Sequence, residues 1–243
     1  MRITAGTDAG TRHQQNQDCY KAGRLEDDSY WMVLCDGMGG VSSGGEASFI
    51  AVNYLEGAVS DALIDLSGEE QIKEFMLSSV GKCNKKIFDL ANDADNNLTM
   101  GTTVVFTIIR GGFAQIVHAG DSRAYLVSKK GIQQLTTDHS IVQELLESGK
   151  ISEQQARNHP HKNIITSALG IEGDVRVDYN EIKLAKNDIL MLCTDGLSNM
   201  MEDFEIANII KESDFYRSAE NLVKRAVELG GFDNVTAVLF GLD

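Results

Sequence analysis

Five aspartates in this chain sit where apolar runs meet turns, and their side chains are hard oxygen donors. Three close buried-looking segments: Trp31-Met-Val-Leu-Cys-Asp36-Gly37, Ile116-Val-His-Ala-Gly-Asp121-Ser122 and Ile189-Leu-Met-Leu-Cys-Thr-Asp195-Gly196. Asp233 precedes the apolar run that begins at Val235, and Asp18 ends the polar stretch after the first strand. Asp-Gly is an ordinary turn pair, so any one of these sites could be only a turn. The set reads differently. A carboxylate at the mouth of a buried strand is held rigidly, and several converging would make a cage suited to magnesium or manganese. Without a cation such a cage is costly, because two carboxylates about 4 Å apart repel by roughly 4 kcal/mol at an effective dielectric near 20.

The elements that must position them follow from pattern. Strands are predicted over 2–8 and 30–35, then a glycine-rich loop over 36–45. A helix over about 46–60 places Ala47, Ile50, Ala51 and Tyr54 on one face, and another over about 69–91 does the same with Ile72, Phe75, Met76, Val80 and Ile87. The stretch 101–135 reads as four consecutive strands (102–109, 113–119, 123–127, 132–135) separated by turn signals, which means antiparallel hairpins. Asp138 is the expected cap of a helix over about 140–148, and a shorter helix covers 152–158. Strands at 174–183, 188–193 and 234–241 and helices at about 202–211 and 217–229 complete the chain. Strand runs followed by helix pairs signal an α+β fold with antiparallel sheets.

Composition narrows the function classes. A formal charge of −14 argues against nucleic acid and anionic membranes as partners. No apolar stretch reaches membrane-spanning length and the first residues lack a signal-peptide core, so a cytoplasmic protein is expected. One proline, Pro160, and no Ser/Gly tract leave no seam, so residues 1–243 are read as a single domain. Cys19, Cys35, Cys83 and Cys193 form no C-x-x-C pair, and Cys35 and Cys193 read as buried free thiols. Asp93-x-Asp95-x-Asn97 begins like a calcium loop, but Leu98 and Val104 stand where glycine and a bidentate glutamate are needed, so it is rejected.

Taken in order, Thr7-Asp-x-Gly10, Asn16-Gln-Asp18, Asp36-Gly-Met-Gly-Gly40, Met100-Gly-Thr-Thr103, His118-Ala-Gly-Asp-Ser-Arg123, Thr137-Asp-His139, Cys193-Thr-Asp-Gly-Leu197 and Gly231-x-Asp-Asn-Val-Thr236 cover nearly the whole chain. Together they resemble the metal-dependent serine/threonine protein phosphatases of type 2C, in their compact bacterial form. The resemblance implies a sandwich of two antiparallel β-sheets flanked by pairs of α-helices. It implies two Mn²⁺ or Mg²⁺ ions at one end, with a bridging water or hydroxide that attacks phosphoserine or phosphothreonine in proteins. Carried over by position, Asp36 bridges both ions, Asp195 and Asp233 complete one, and Asp18 with the Gly37 carbonyl serves the other. Asp121 with Asp195 matches the ligands of a third ion, and 141–175 corresponds to a variable flap. A monomer acting on the substrates of a serine/threonine kinase is expected.

Two positions depart from the family pattern. His13, preceded by Arg12, stands where an arginine usually grips substrate phosphate. Val41 stands where relatives carry histidine, which leaves the general acid unassigned: a metal-bound water is the default, with His118 and His139 as candidates. Two rivals come from other classes. Gly40-Val-Ser42-Ser-Gly44 matches the nucleophile elbow of a serine hydrolase, with Asp121 and His139 downstream, although its strand-to-helix context is lacking. An inactive relative serving as a binding or sensor module is the other; such proteins lose metal ligands, whereas all five acidic positions are intact here.

Overall fold

The computed structural model describes residues 1–39, 43–62, 66, 68–93 and 100–242. Three strands open the chain, β1 (Arg2–Asp8), β2 (Asp18–Arg24) and β3 (Tyr30–Gly39), followed by helices α1 (Ser43–Ala62) and α2 (Glu69–Ala91). A run of strands comes next: β4 (Met100–Thr102), β5 (Val104–Arg110), β6 (Phe113–Ala119), β7 (Arg123–Ser128) and β8 (Gly131–Gln134). Short helices α3 (Ile141–Glu147) and α4 (Glu153–Arg157) lead to β9 (Asp178–Lys183) and β10 (Ile189–Cys193). The chain then forms α5 (Asp195–Ser198), α6 (Asp203–Glu212), α7 (Phe215–Glu228) and β11 (Val235–Gly241).

All pairings are antiparallel, and they make two sheets, β1-β11-β10-β7-β8 and β2-β3-β5-β6-β9, with β4 paired to the end of β3. Side-chain alternation decides what each strand face buries. Along β3, Met32 and Leu34 pack with Leu190, Leu192, Val238 and Phe240 between the sheets. Trp31, Val33 and Cys35 point the other way, onto Leu55 of α1 and Met76, Val80 and Ile87 of α2. The first sheet is covered likewise on its outer face, where Met191, Cys193 and Leu239 meet Ile206, Ile210, Leu222 and Ala226 of α6 and α7. Three apolar layers thus separate four structural layers, which is the expected sandwich flanked by helices. Each large side chain buried this way contributes about 1.5–3 kcal/mol.

Several boundaries differ from the pattern reading. Strand β2 escaped it because this edge strand has little apolar alternation: Lys21 reaches out to Asn53 and Glu56 of α1, and Gly23 lies flat under the Trp31 indole. Strand β3 continues through Asp36 into the glycine-rich loop because β4 pairs with Gly37–Gly39. The cap of α3 is Ser140, whose side chain accepts from Gln143 N, rather than Asp138. Asp138 is instead engaged by the Arg123 guanidinium, with Nε–Oδ1 at 2.9 Å and Nη2–Oδ2 at 2.7 Å. Strand β9 starts at Asp178, later than the expected 174. Within 141–175, α3 and α4 are tied back to the body by bridges Ser140↔Ile165 and Thr102↔Leu169. Asp95 and Asn97 of the rejected calcium loop lie outside the described residues. The four cysteines are free thiols, with Cys35, Cys83 and Cys193 buried.

Candidate metal centre

Asp18 and Asp36 face each other in register across the β2–β3 pair, near the same end of the sheet. Asp121 lies two residues past the end of β6, Asp195 opens α5 two residues past the end of β10, and Asp233 stands two residues before β11. Strand polarity therefore delivers carboxylates from both sheets to one rim of the sandwich.

Hydroxyls fix their geometry. Asp18 Oδ2 accepts from Thr194 Oγ1 at 3.0 Å and from Thr236 Oγ1 at 2.6 Å, so the second sheet is bonded to the first through one carboxylate oxygen. Thr236 spends its only proton on Asp18, so the 2.8 Å contact between Thr7 Oγ1 and Thr236 Oγ1 must have Thr7 donating. Asp36 is clamped through its backbone: its N–H donates to Thr103 Oγ1, and its carbonyl accepts from Thr102 Oγ1 and Thr103 N. Asn234 secures the 10–18 loop, its amide donating to the Ala9 and Gln15 carbonyls while its Oδ1 accepts from Gln17 N. Pattern reading passed over these partners; their signal was adjacency, since Thr194, Asn234 and Thr236 flank the aspartates in the quoted motifs.

Two glycines make the close approach of backbone possible. A Cβ on Gly37 would sit 2.2 Å from the Gly44 carbonyl oxygen and 2.8 Å from that of Gln17. Gly10 adopts φ +72°, and a Cβ there would fall 2.1 Å from the Asp233 carbonyl oxygen. Any side chain at either position would push apart segments that carry or adjoin the aspartates.

The carboxylates press on one another electrostatically. Burial, then the charges of Asp18, Asp195, Asp121 and Asp233, hold the Asp36 carboxyl well above the usual carboxylate range. Asp18 rises to about 7, chiefly through burial, with the two threonine hydroxyls pulling it back. Burial and then Asp233 raise Asp195 to about 6, and burial and then Asp195 raise Asp121. Asp18 Oδ1 is buried with no hydrogen-bond partner. An orphaned oxygen among crowded carboxylates is what a hard divalent cation would satisfy, so the donor set fits Mn²⁺ or Mg²⁺.

Around this centre, His13 Nε2 lies 3.3 Å from Asp233 Oδ1. Arg12 turns away to stack on Phe232, 4.2 Å from the ring centroid. Arg123, Lys162, Asp121 and Asp195 line a cleft of about 660 Å³ that runs from the carboxylates to α3 and α4. His118, His139 and Asp178 form a separate cluster whose ligand-type atoms lie within 4.8 Å of one another. Its hydrogen bonds do not suit a metal. His139 Nδ1 accepts from Gly120 N at 3.3 Å, so the proton sits on Nε2, 3.1 Å from Asp178 Oδ2. A metal on Nε2 would force a proton onto Nδ1, against the Gly120 N–H. His118 Nε2 is bonded to the Thr137 carbonyl, and burial lowers its pKa. His139 thus holds Gly120, next to Asp121, and His118 ties β6 to Thr137. Gly40, Val41 and Ser42 lie outside the described residues.

The family model of Protein phosphatase 2C matches residues 5–228. The chain belongs to the protein phosphatase 2C family. It is 37% identical over 244 residues to the serine/threonine phosphatase stp of Listeria monocytogenes, covering 100% of this chain and 96% of that protein. The S. agalactiae serine/threonine phosphatase superposes with a TM-score of 0.94 at 34% identity, covering 100% of this chain and 99% of that one. The catalytic domain of the serine threonine protein phosphatase PstP, in complex with two manganese ions, superposes with a TM-score of 0.85 at 29% identity, covering 100% and 98%. The 2C family is Mn²⁺/Mg²⁺-dependent, and the acidic rim offers hard oxygen donors of the kind such ions take. The serine hydrolase and inactive-module readings are not favoured. No helix among the described residues is long and apolar enough to cross a membrane.

Proposed function

We propose that this chain is a protein serine/threonine phosphatase that hydrolyses phosphoserine and phosphothreonine at the five-aspartate rim. The observation that carries the reading is the orphaned Asp18 Oδ1 among carboxyls whose burial, and then mutual repulsion, raises their pKa values. Asp36 would hold both core ions, Asp195 and Asp233 one of them, and Asp18 with the Gly37 carbonyl the other. Asp121 and Asp195 would hold a third. When bound, Mn²⁺ or Mg²⁺ supplies a nucleophilic water at neutral pH and neutralises the phosphoryl oxygens.

The chain's own groups do the rest. Thr194 and Thr236 orient Asp18, and Thr102 and Thr103 fix the backbone of Asp36, so the ligands are preorganised before substrate arrives. His13, beside Asp233, is the group we assign to the substrate phosphate, because the stacking of Arg12 on Phe232 directs that guanidinium elsewhere. The 141–175 segment forms the flap wall of the cleft, within one catalytic domain that spans the chain. We place the enzyme in the cytoplasm as a monomer acting on substrates of a serine/threonine kinase.

The test is hydrolysis of p-nitrophenyl phosphate and of a phosphothreonine peptide with manganese and with EDTA. Manganese-dependent turnover that Asp36→Asn abolishes, in a variant with wild-type circular dichroism, is the expected result. Turnover that survives EDTA, or wild-type rates in Asp36→Asn, overturns the assignment.

A further inference from the structure

Two loops run side by side next to the acidic rim, one over 10–13 and the other over 230–233. Thr11 N–H donates to the Gly231 carbonyl at 2.7 Å, and Thr11 Oγ1 donates to the Gly230 carbonyl at 2.7 Å. The Arg12 guanidinium lies 4.2 Å from the centroid of the Phe232 ring, and His13 Nε2 lies 3.3 Å from Asp233 Oδ1. Residues 11, 12 and 13 thus meet 231, 232 and 233 in turn. The Arg12–Phe232 pair stands one residue along the chain from the His13–Asp233 pair at the rim. Phe232 is 48% exposed, yet its ring has a fixed seat against Gly230, where a Cβ would fall 2.8 Å from the ring Cζ. Arg12 is exposed as well, and among the described residues no carboxylate engages it. That is unusual in a chain with 36 acidic residues against 22 basic ones. Arg24, Arg110, Arg123, Arg157 and Arg176 each pair with an aspartate or glutamate.

Stacking on an aromatic ring occupies the face of a guanidinium and leaves the N–H donors on its edge free for a planar acceptor such as a carboxylate. The ring also limits the orientations of the arginine, so less freedom is lost when that acceptor arrives. We propose that Arg12, held by Phe232, is a specificity residue that grips the carboxylate of an aspartate or glutamate two or three residues from the phosphorylated residue of the substrate. The spacing follows from chain dimensions: neighbouring Cα atoms lie about 3.8 Å apart and an extended peptide advances about 3.3–3.6 Å per residue, so a long side chain one residue from the phosphate contact meets the peptide a few residues from the phosphate. The rest of the surface, at a net charge of −14, repels acidic peptides, so the preference is confined to the position that reaches Arg12. The inference rests on the phosphatase reading and narrows its substrates to phosphopeptides with a nearby acidic residue.

The test is a glutamate scan with manganese present. A phosphothreonine peptide with alanine on both sides is compared with peptides carrying one glutamate at each of the three positions before and after the phosphothreonine. On the wild-type chain, glutamate at a position two or three residues away should lower KM about fivefold, the upper end for an exposed ion pair with fork geometry. The kcat should be unchanged, because the contact is remote from the reacting bonds. Raised salt should shrink the preference. Arg12→Gln should abolish it, and Phe232→Leu, which removes the aromatic face, should weaken it; two exposed positions keep the test alive if one variant fails to fold. Turnover of the alanine peptide with no glutamate position lowering KM overturns the proposal and leaves the phosphatase reading standing. A preference that persists undiminished in either folded variant also overturns it. Absence of turnover on every peptide and on p-nitrophenyl phosphate overturns both.

Discussion

Replacing Asp18 by asparagine should stabilise the metal-free protein while weakening its response to manganese. The Asp18 carboxyl is moved from its ordinary 3.8 to about 7. At pH 7 its charged form therefore costs the folded chain about 4 kcal/mol, at ~1.4 kcal/mol per tenfold in proton affinity. Asparagine removes that charge, and its Oδ1 can still accept from Thr194 and Thr236. For a domain of this size each kcal/mol corresponds to about 2–4 °C in Tm, so Asp18→Asn should melt about 8 °C or more above wild type by scanning calorimetry in EDTA. The sign with pH follows. A carboxyl whose folded pKa is raised binds protons preferentially in the folded state, so metal-free wild type should lose stability as pH rises from about 4 to about 7. The variant should show a flatter profile. Saturating manganese should narrow that gap, since an ion present at a hundredfold its Kd contributes about 2.7 kcal/mol that the variant largely forgoes. A metal-free variant that melts at or below wild type at pH 7 would refute the reading of Asp18 as a crowded, charge-strained ligand.

Other substitutions probe the remaining assignments. Asp121→Ala should leave manganese-dependent turnover detectable but slower, on the order of tenfold; full activity would remove the third-ion role. His13→Arg should lower KM for p-nitrophenyl phosphate, because arginine is charged at all working pH and grips phosphate in two places; an unchanged or higher KM would count against His13 as the phosphate contact. Thr236→Val removes a buried hydroxyl from Asp18 and leaves Thr7 without its acceptor, so thermal unfolding in manganese should show a loss of about 1–3 kcal/mol; wild-type stability would show the contact to be dispensable.

Much of this architecture was legible because burial leaves strong traces. The consecutive strands over 101–135, the amphipathic α2 and the aspartates at strand mouths all appear as pattern, since each arises from local periodicity. What escaped depends on partners distant in sequence. Strand β2 carries no clear alternation, because as an edge strand it hydrates one side and rests Lys21 on α1. Asp138 has the residue type of a helix cap, but a buried-side arginine claims it and Ser140 takes over the role. The bonding of Thr194 and Thr236 to Asp18 spans 176 and 218 residues, beyond any local window. The bonds of His118 Nε2 to the Thr137 carbonyl and of His139 Nδ1 to Gly120 N each span 19 residues and were equally out of reach of local pattern.

The bonds from Asp18 to Thr194 and Thr236 also bear on how the molecule is assembled. The acidic rim straddles the seam between two sheets that meet mainly through apolar side chains, whose contacts are not directional. Ions seated there would act as rivets, fixing the register of one half against the other. Readiness to hydrolyse and alignment of the halves would then be a single property of this chain, gained or lost together.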